Sequence, residues 1–246
     1  MFPVNFEQLP FIIVFYVDDK STISYLEGEI QSMKIRTDSK SIALLAIFSS
    51  IVIALEIFPI PGITDLYTPI PHFTIDWTGI PIVIVFFGLG IVYSFFSVAI
   101  MWISIAYRNF SGAVFKALAE SFTLLGLVVV KFALRKRKLD WKSEVILYTT
   151  FAMIFRAIGM LFGNAVLFLL WSYTSSLEAA FALSMVYVPW NLLQAFINIF
   201  GGMFLYKLIP DNLKIEAGLG HNGDKETRVY EELSSEEIEH SDDEQK

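Results

Sequence analysis

Lys116 and Glu120 stand four residues apart inside an otherwise apolar run, one helical turn from each other, so they can pair along one face. Arg156 and Asn164 lie in a second apolar run, and Asn191, Gln194 and Asn198 recur at spacings of three and four in a third. A charge at the centre of a membrane helix costs roughly 2.5 to 3.5 kcal/mol on the insertion scale, so each of these groups needs a partner or a cavity. Three polar helix faces predict a shared polar pocket. We expect Asp76, Lys116, Glu120, Asn164, Asn191 and Gln194 to converge on it, with Trp77, Tyr187 and Trp190 placed to stack on a planar, polar small molecule. The same groups can instead serve only to tie helices together, each bond contributing about 0.6 kcal/mol on average in membranes.

The chemistry open to such a set is binding rather than covalent turnover. Cysteine is absent, which removes thiolate nucleophiles, disulfides and Cys-ligated metals. There is no HExxH, GxSxG or Walker A pattern, and His72, His221 and His240 fall outside the apolar runs. We therefore expect no catalytic residue, no metal, no cofactor and no nucleic-acid partner.

The elements that must carry these residues are membrane spans, because 55% hydrophobic residues and a mean hydropathy of +0.58 lie far from a soluble domain's balance. Apolar runs cover 41–58, 79–107, 111–134, 143–171 and 181–209. The 79–107 run is too long for one span and short for two, since about 20 residues cross a bilayer core of about 30 Å. Basic residues decide it. Lys34, Arg36 and Lys40 precede the first run, and Arg135, Lys136, Arg137, Lys138 and Lys142 fill a later loop, whereas 59–78 and 172–180 hold no Lys or Arg. Keeping the basic loops inside requires two short helices turning at Gly88 and Gly90. The expectation is an all-α integral membrane protein of the cell membrane with six transmembrane helices and both termini cytoplasmic.

Around the membrane domain, 41–209, we expect an N-terminal extension over 1–40 that is partly interfacial or disordered. A disordered, acidic cytoplasmic tail is expected over 210–246, because that segment is too charged and too poor in large apolar groups to offset the entropy of ordering. The net charge of −7 resides there. Proline spacing makes 59–78 a structured loop rather than a helix. Asn109-Phe110-Ser111 matches the N-glycosylation pattern, but hugs the membrane. Ala46, Ser50 and Ala54, spaced by four in the first helix, would admit close approach of another helix, either from this chain or from a partner subunit.

The arrangement resembles the S components of energy-coupling factor (ECF) transporters, over about 33–209. FTIDWTGIPIVIVFFGLG resembles that family's "LD-S-DIP" entry to a short second helix ending in Gly. SGAVFKALAESFTLLGLVV followed by RKRK resembles its fourth helix and basic loop, and YVPWNLLQAFI resembles the "P-F-N-L-I-K-G" segment of riboflavin-binding members. The resemblance implies capture of a vitamin-like molecule from outside, with riboflavin the first candidate, and delivery with a T subunit and two ATPase subunits that hydrolyse the ATP. Asp76 matches the family's loop aspartate and Asn191 the asparagine of its last helix. The pattern departs at Gln194, where riboflavin-type members have lysine, and at Glu120, where asparagine is expected. Two other classes remain open: a stand-alone secondary transporter or channel for a small polar solute, using Glu120 and Arg156 for ion coupling, and an intramembrane enzyme on lipid, for which no nucleophile–base pair can be assembled.

Overall fold

The computed structural model describes residues 38–70, 73–134 and 139–219, all within one compact unit, Ile35–Lys246. Seven helices and one hairpin are seen among these residues: α1 Ser39–Ile57, β1 Asp65–Tyr67, β2 Thr74–Asp76, α2 Gly79–Gly88, α3 Ile91–Ala106, α4 Phe110–Leu134, α5 Trp141–Leu170, α6 Leu177–Leu208 and α7 Asp211–Ala217. α1, α4, α5 and α6 are long and apolar enough to cross a membrane, which makes the chain a multi-pass helical membrane protein. Residues 1–37 of the expected N-terminal extension and the RKRK run, 135–138, lie outside the described residues, whereas Ser39 and Lys40, expected in the extension, already belong to α1.

Helix starts follow local chemistry. Asp38 caps α1 through the Ser41 N–H, Asp140 caps α5 through Ser143, and Ser176 caps α6 through Ala179. At α4 the capping side chain is Asn109, whose carbonyl oxygen accepts from Gly112 at 3.0 Å and from the Ser111 hydroxyl at 3.2 Å. The apparent glycosylation motif is thus a helix cap.

The 79–107 run breaks where expected. α2 ends at Gly88 and α3 begins after Gly90, whose φ of 108° is closed to most L side chains. The division is unequal, at 10 and 16 residues against the roughly 14 each that an even split would give. α2 is short because it is a core helix: nine of its ten residues are buried. It runs parallel to α6 at close quarters, Gly79 facing Asn198, Gly202 facing Val83, and Phe87 meeting Tyr206 at 6.0 Å.

Chain ends sort into two groups. At one, the basic end, Lys40 of α1 donates to Glu216 of α7, Lys131 of α4 lies over Phe86 of α2, and Lys207 of α6 lies over Trp141 of α5. At the opposite, loop end, Arg108 after α3 reaches Glu56 near the end of α1. The expectation of a loop over 59–78 holds, with a small antiparallel hairpin inside it in which Asp65 pairs with Asp76 and Tyr67 with Thr74. The tail needs correction at its start. Residues 210–246 are not disordered throughout, since Asp211–Ala217 form α7, whose Gly218 exits with a left-handed φ of 77° and lets Leu219 bury against Gly88. Apolar anchoring at Leu219 offsets the local charge there. Residues 220–246 lie outside the described set.

Candidate binding site in the helix bundle

Helical rise places the polar side chains at one level. Counting about 1.5 Å per residue from the basic end, Glu56 on α1, Glu120 on α4, Arg156 on α5 and Gln194 on α6 stand about 20 to 26 Å up their helices. The hairpin descends to meet them. Gln194 binds the main chain of Asp76 twice, Nε2 donating to its carbonyl at 2.7 Å and Oε1 accepting from its N–H at 3.1 Å.

Two charge clusters result. In the first, the Lys116 ammonium bridges Glu56 and Asp76, the latter at 2.8 Å, while Arg108 reaches the Glu56 carboxylate at 3.7 Å and also its main-chain carbonyl. The other carboxylate oxygen of Asp76 accepts from the Thr78 N–H at 2.9 Å and from the hydroxyl of Thr78, which starts α2. Burial pushes the Asp76 carboxyl up, but the Lys116 charge and the hydrogen bonds from Lys116 and Thr78 outweigh it and hold the group below the usual range. Asp65, directly across the hairpin, moves the other way, raised first by burial and then by the charge of Asp76.

In the second cluster, Arg156 donates to Glu120 at 2.6 Å, to Thr123 at 3.1 Å and to Asn191 at 3.3 Å. Asn198 donates to the same Glu120 oxygen at 3.0 Å and accepts from Gln194 at 2.9 Å. Gln194 therefore joins the two clusters.

The structure brings together Asp76, Lys116, Glu120, Asn191 and Gln194, as expected, but not in the expected pairs. Lys116 and Glu120 do not bind each other. A local pair would leave Glu56, Asp76 and Arg156 uncompensated in an apolar interior, and an unpaired buried charge costs far more than one turn-to-turn contact supplies. Glu56 and Arg156 were missing from the expected set. The cost of an intramembrane charge applies equally to both and is the signal that finds them.

Asn164 lies apart from this network. It shares the buried face of α5 with Arg156, Met160 and Phe168, two turns beyond Arg156 toward the loop end. It is 3% exposed and makes no hydrogen bond among the described residues, but its amide is not fully enclosed: the wholly buried side-chain atoms left unpaired there are the hydroxyls of Ser49, Thr149 and Thr174. One turn further along α5, Phe168 is the centre of an aromatic cluster. Phe168 packs on Phe115, Tyr173 and Tyr187 with centroids 5.4, 5.9 and 5.6 Å away, and Tyr187 meets Phe73 of the hairpin at 6.0 Å. Tyr187 belongs to this aromatic cluster.

Trp77 does not. Its indole N–H is held by the Ile63 carbonyl, and its ring lines a groove of about 260 Å³ with Phe48, Ile51 and Ile80, on the far side of the hairpin from Asn164. Trp190 is half-buried beside Asn191 and takes no part in the hydrogen-bond network among the described residues. Ala46, Ser50 and Ala54 are all exposed on α1, flanked by exposed Ile47 and Ile51, so they pack against no described helix of this chain.

No family model matches the chain, and no curated protein matches it. Among solved structures, the S component of a bacterial ECF transporter shares its fold, with a TM-score of 0.57 and 18% identity over 71% of this chain and 98% of that one. The fold is that of an S component.

Proposed function

We propose that the chain is the substrate-capture subunit of an ECF-type uptake transporter, with six membrane-crossing helices and both termini in the cytoplasm. It takes a vitamin-like molecule from outside and delivers it with a T subunit and two ATPase subunits. The fold likeness supports the class. The observation that carries ligand capture is Asn164: its side chain is buried, makes no hydrogen bond among the described residues, and lies one helical turn from Phe168, whose ring packs on Phe115 and Tyr187. In this reading Asn164, Tyr187 and the hairpin contact the ligand, while Asp76, Lys116, Glu120, Asn191 and Gln194 form the floor that fixes them. The departures from the riboflavin-type pattern then fall on floor residues, Glu120 held by Arg156 and Gln194 by Asp76, and riboflavin remains the first candidate. The exposed small residues Ala46, Ser50 and Ala54 form the face for the T subunit's helix.

Native mass spectrometry and an absorbance spectrum of the purified protein test the reading. A bound heteroaromatic vitamin, or saturable binding of one from a vitamin panel by the isolated chain, is expected. Uptake by liposomes holding this chain alone would overturn it in favour of a channel or secondary transporter. That alternative requires Glu120 and Arg156 to part during transport, yet Arg156 is tied to three neighbours and Glu120 to two. Topology is tested separately: single cysteines at Ser111 and Ser143 should label from opposite faces of the membrane.

A further inference from the structure

Pro189 stands inside α6, between Tyr187 and Asn191. Proline has no N–H, so the Met185 carbonyl one turn back loses its helical donor and meets the proline ring instead. Among the described residues no side chain donates to that carbonyl in its place. Met185 and Pro189 are both exposed, which puts the break on the lipid-facing flank of the helix. The two halves of α6 are joined there by fewer bonds than an unbroken turn supplies.

The halves are held differently. Below the break, Gln194 binds the main chain of Asp76, Asn198 donates to Glu120, Gly202 lies against Val83 of α2, and Lys207 lies over Trp141 of α5. Above it, 177–188 packs through Ala180, Phe181, Leu183 and Tyr187 on the loop end of α5, and the Tyr187 ring meets Phe73 of the hairpin at 6.0 Å. Apolar contacts of this kind have no fixed direction and tolerate sliding, whereas hydrogen bonds weaken steeply off their axis. Asn191 spans the break. Its Nδ2 donates to the Tyr187 carbonyl, on the other side of Pro189, at 3.1 Å, and its Oδ1 accepts from Arg156 Nε at 3.3 Å. One side chain thus fastens the residue that carries the ring wall to the Glu120–Arg156 pair.

We propose that Pro189 is a hinge dividing α6 into a fixed lower half and a movable loop half that opens and closes the ring-lined site, and that Asn191 is the positioning residue that braces this hinge. That the moving wall borders a guest rests on the proposed capture function. The hinge and its brace rest on the helix alone.

Amide hydrogen exchange of the full, ligand-free chain in phosphatidylcholine nanodiscs tests both parts, read by mass spectrometry on peptides within 177–188 and 192–208. Pro189→Ala restores the donor to Met185 and should slow exchange in 177–188 about two- to tenfold, the worth of one net hydrogen bond, with 192–208 unchanged. Asn191→Ala should speed 177–188 by a similar factor, and adding Pro189→Ala to it should return the rate to the wild-type value or below. Asn191→Ser separates the brace from the Arg156 contact. Ser50, Ser121 and Ser184 each donate to the carbonyl four residues back at 2.7 Å, so a hydroxyl at 191 keeps the bond to Tyr187 but is too short to reach Arg156. Its exchange should stay within about twofold of wild type. Unchanged rates in Pro189→Ala, or equal changes in both segments, overturn the hinge. A double variant or an Asn191→Ser variant that exchanges as fast as Asn191→Ala overturns the brace. Because no ligand is present, these outcomes are separate from failure of the capture reading, which the vitamin panel decides.

Discussion

Gln194 grips Asp76 by the main chain rather than by the carboxylate, donating to its carbonyl at 2.7 Å and accepting from its N–H at 3.1 Å. The amide imitates one rung of a β-ladder and seats the hairpin on α6, leaving the Asp76 carboxylate free to take Lys116 and Thr78. Replacing Gln194 by Leu strands two buried main-chain groups, at about 1 to 3 kcal/mol each. We expect a lower melting temperature and protease sensitivity in the 59–78 loop. Gln194→Glu, which keeps the acceptor but loses the donor, should fall between wild type and Gln194→Leu. A wild-type melting curve for the Gln194→Leu variant would remove the seat from the account.

The Glu120–Arg156 pair invites a double-mutant cycle. Either Glu120→Met or Arg156→Met alone leaves one buried charge and should cost about 3 to 5 kcal/mol, whereas the double substitution should recover most of the loss, since replacing a whole buried pair by apolar groups is often close to neutral. Additive losses would show that each residue works through separate contacts.

Asn164→Leu separates binding from stability. Because the amide has no partner among the described residues, its removal should leave the ligand-free melting temperature unchanged or higher. Affinity for the captured molecule should drop about five- to more than a hundredfold by calorimetry. A destabilised variant with intact affinity would assign Asn164 to packing.

Asp65 sets a pH signature. Its carboxyl is raised by burial and by Asp76, so the folded state binds its proton more readily than the unfolded chain does. The sign follows: at neutral pH the ionised group costs stability, and the cost is relieved as pH falls through the raised value and is gone below the usual carboxylate range. Asp65→Asn should therefore melt higher than wild type at pH 7, with the gap closing toward pH 3. Equal melting temperatures at both would mean that the hairpin does not hold the two aspartates together.

Much of the fold was legible because its signals are local. Run lengths marked the four long helices, and glycines marked the α2–α3 break, since only Gly90 takes the required φ. What the sequence did not reveal depends on alignment between helices. Lys116 and Glu120 carry a correct local spacing, but their partners lie 60 residues away at Glu56 and 36 away at Arg156, and only helix packing decides which charges share a level. Trp77 was misplaced for the same reason: one residue from Asp76 along the hairpin's exit, its side chain turns to the opposite side. Small residues on α1 could not be assigned to either partner from spacing alone, whereas their exposure removes the described helices of this chain as partners.

The Lys207–Trp141 contact fixes the start of α5 level with the end of α6, and this has a consequence for depth. At 30 and 32 residues these helices are about 45 and 48 Å long, against about 28 Å for the 19 residues of α1 and a hydrocarbon layer of about 30 Å. A surplus of about 15 Å over the hydrocarbon layer is accommodated by helix tilt or by extension beyond it. Asn164 stands about 35 Å from the start of α5, close to the loop end, with Phe168, Trp171 and Tyr173 beyond it along the chain. The ion-paired layer of Arg156 and Glu120 lies about 12 Å deeper along α5, so the ring cluster stands between that layer and the loop end.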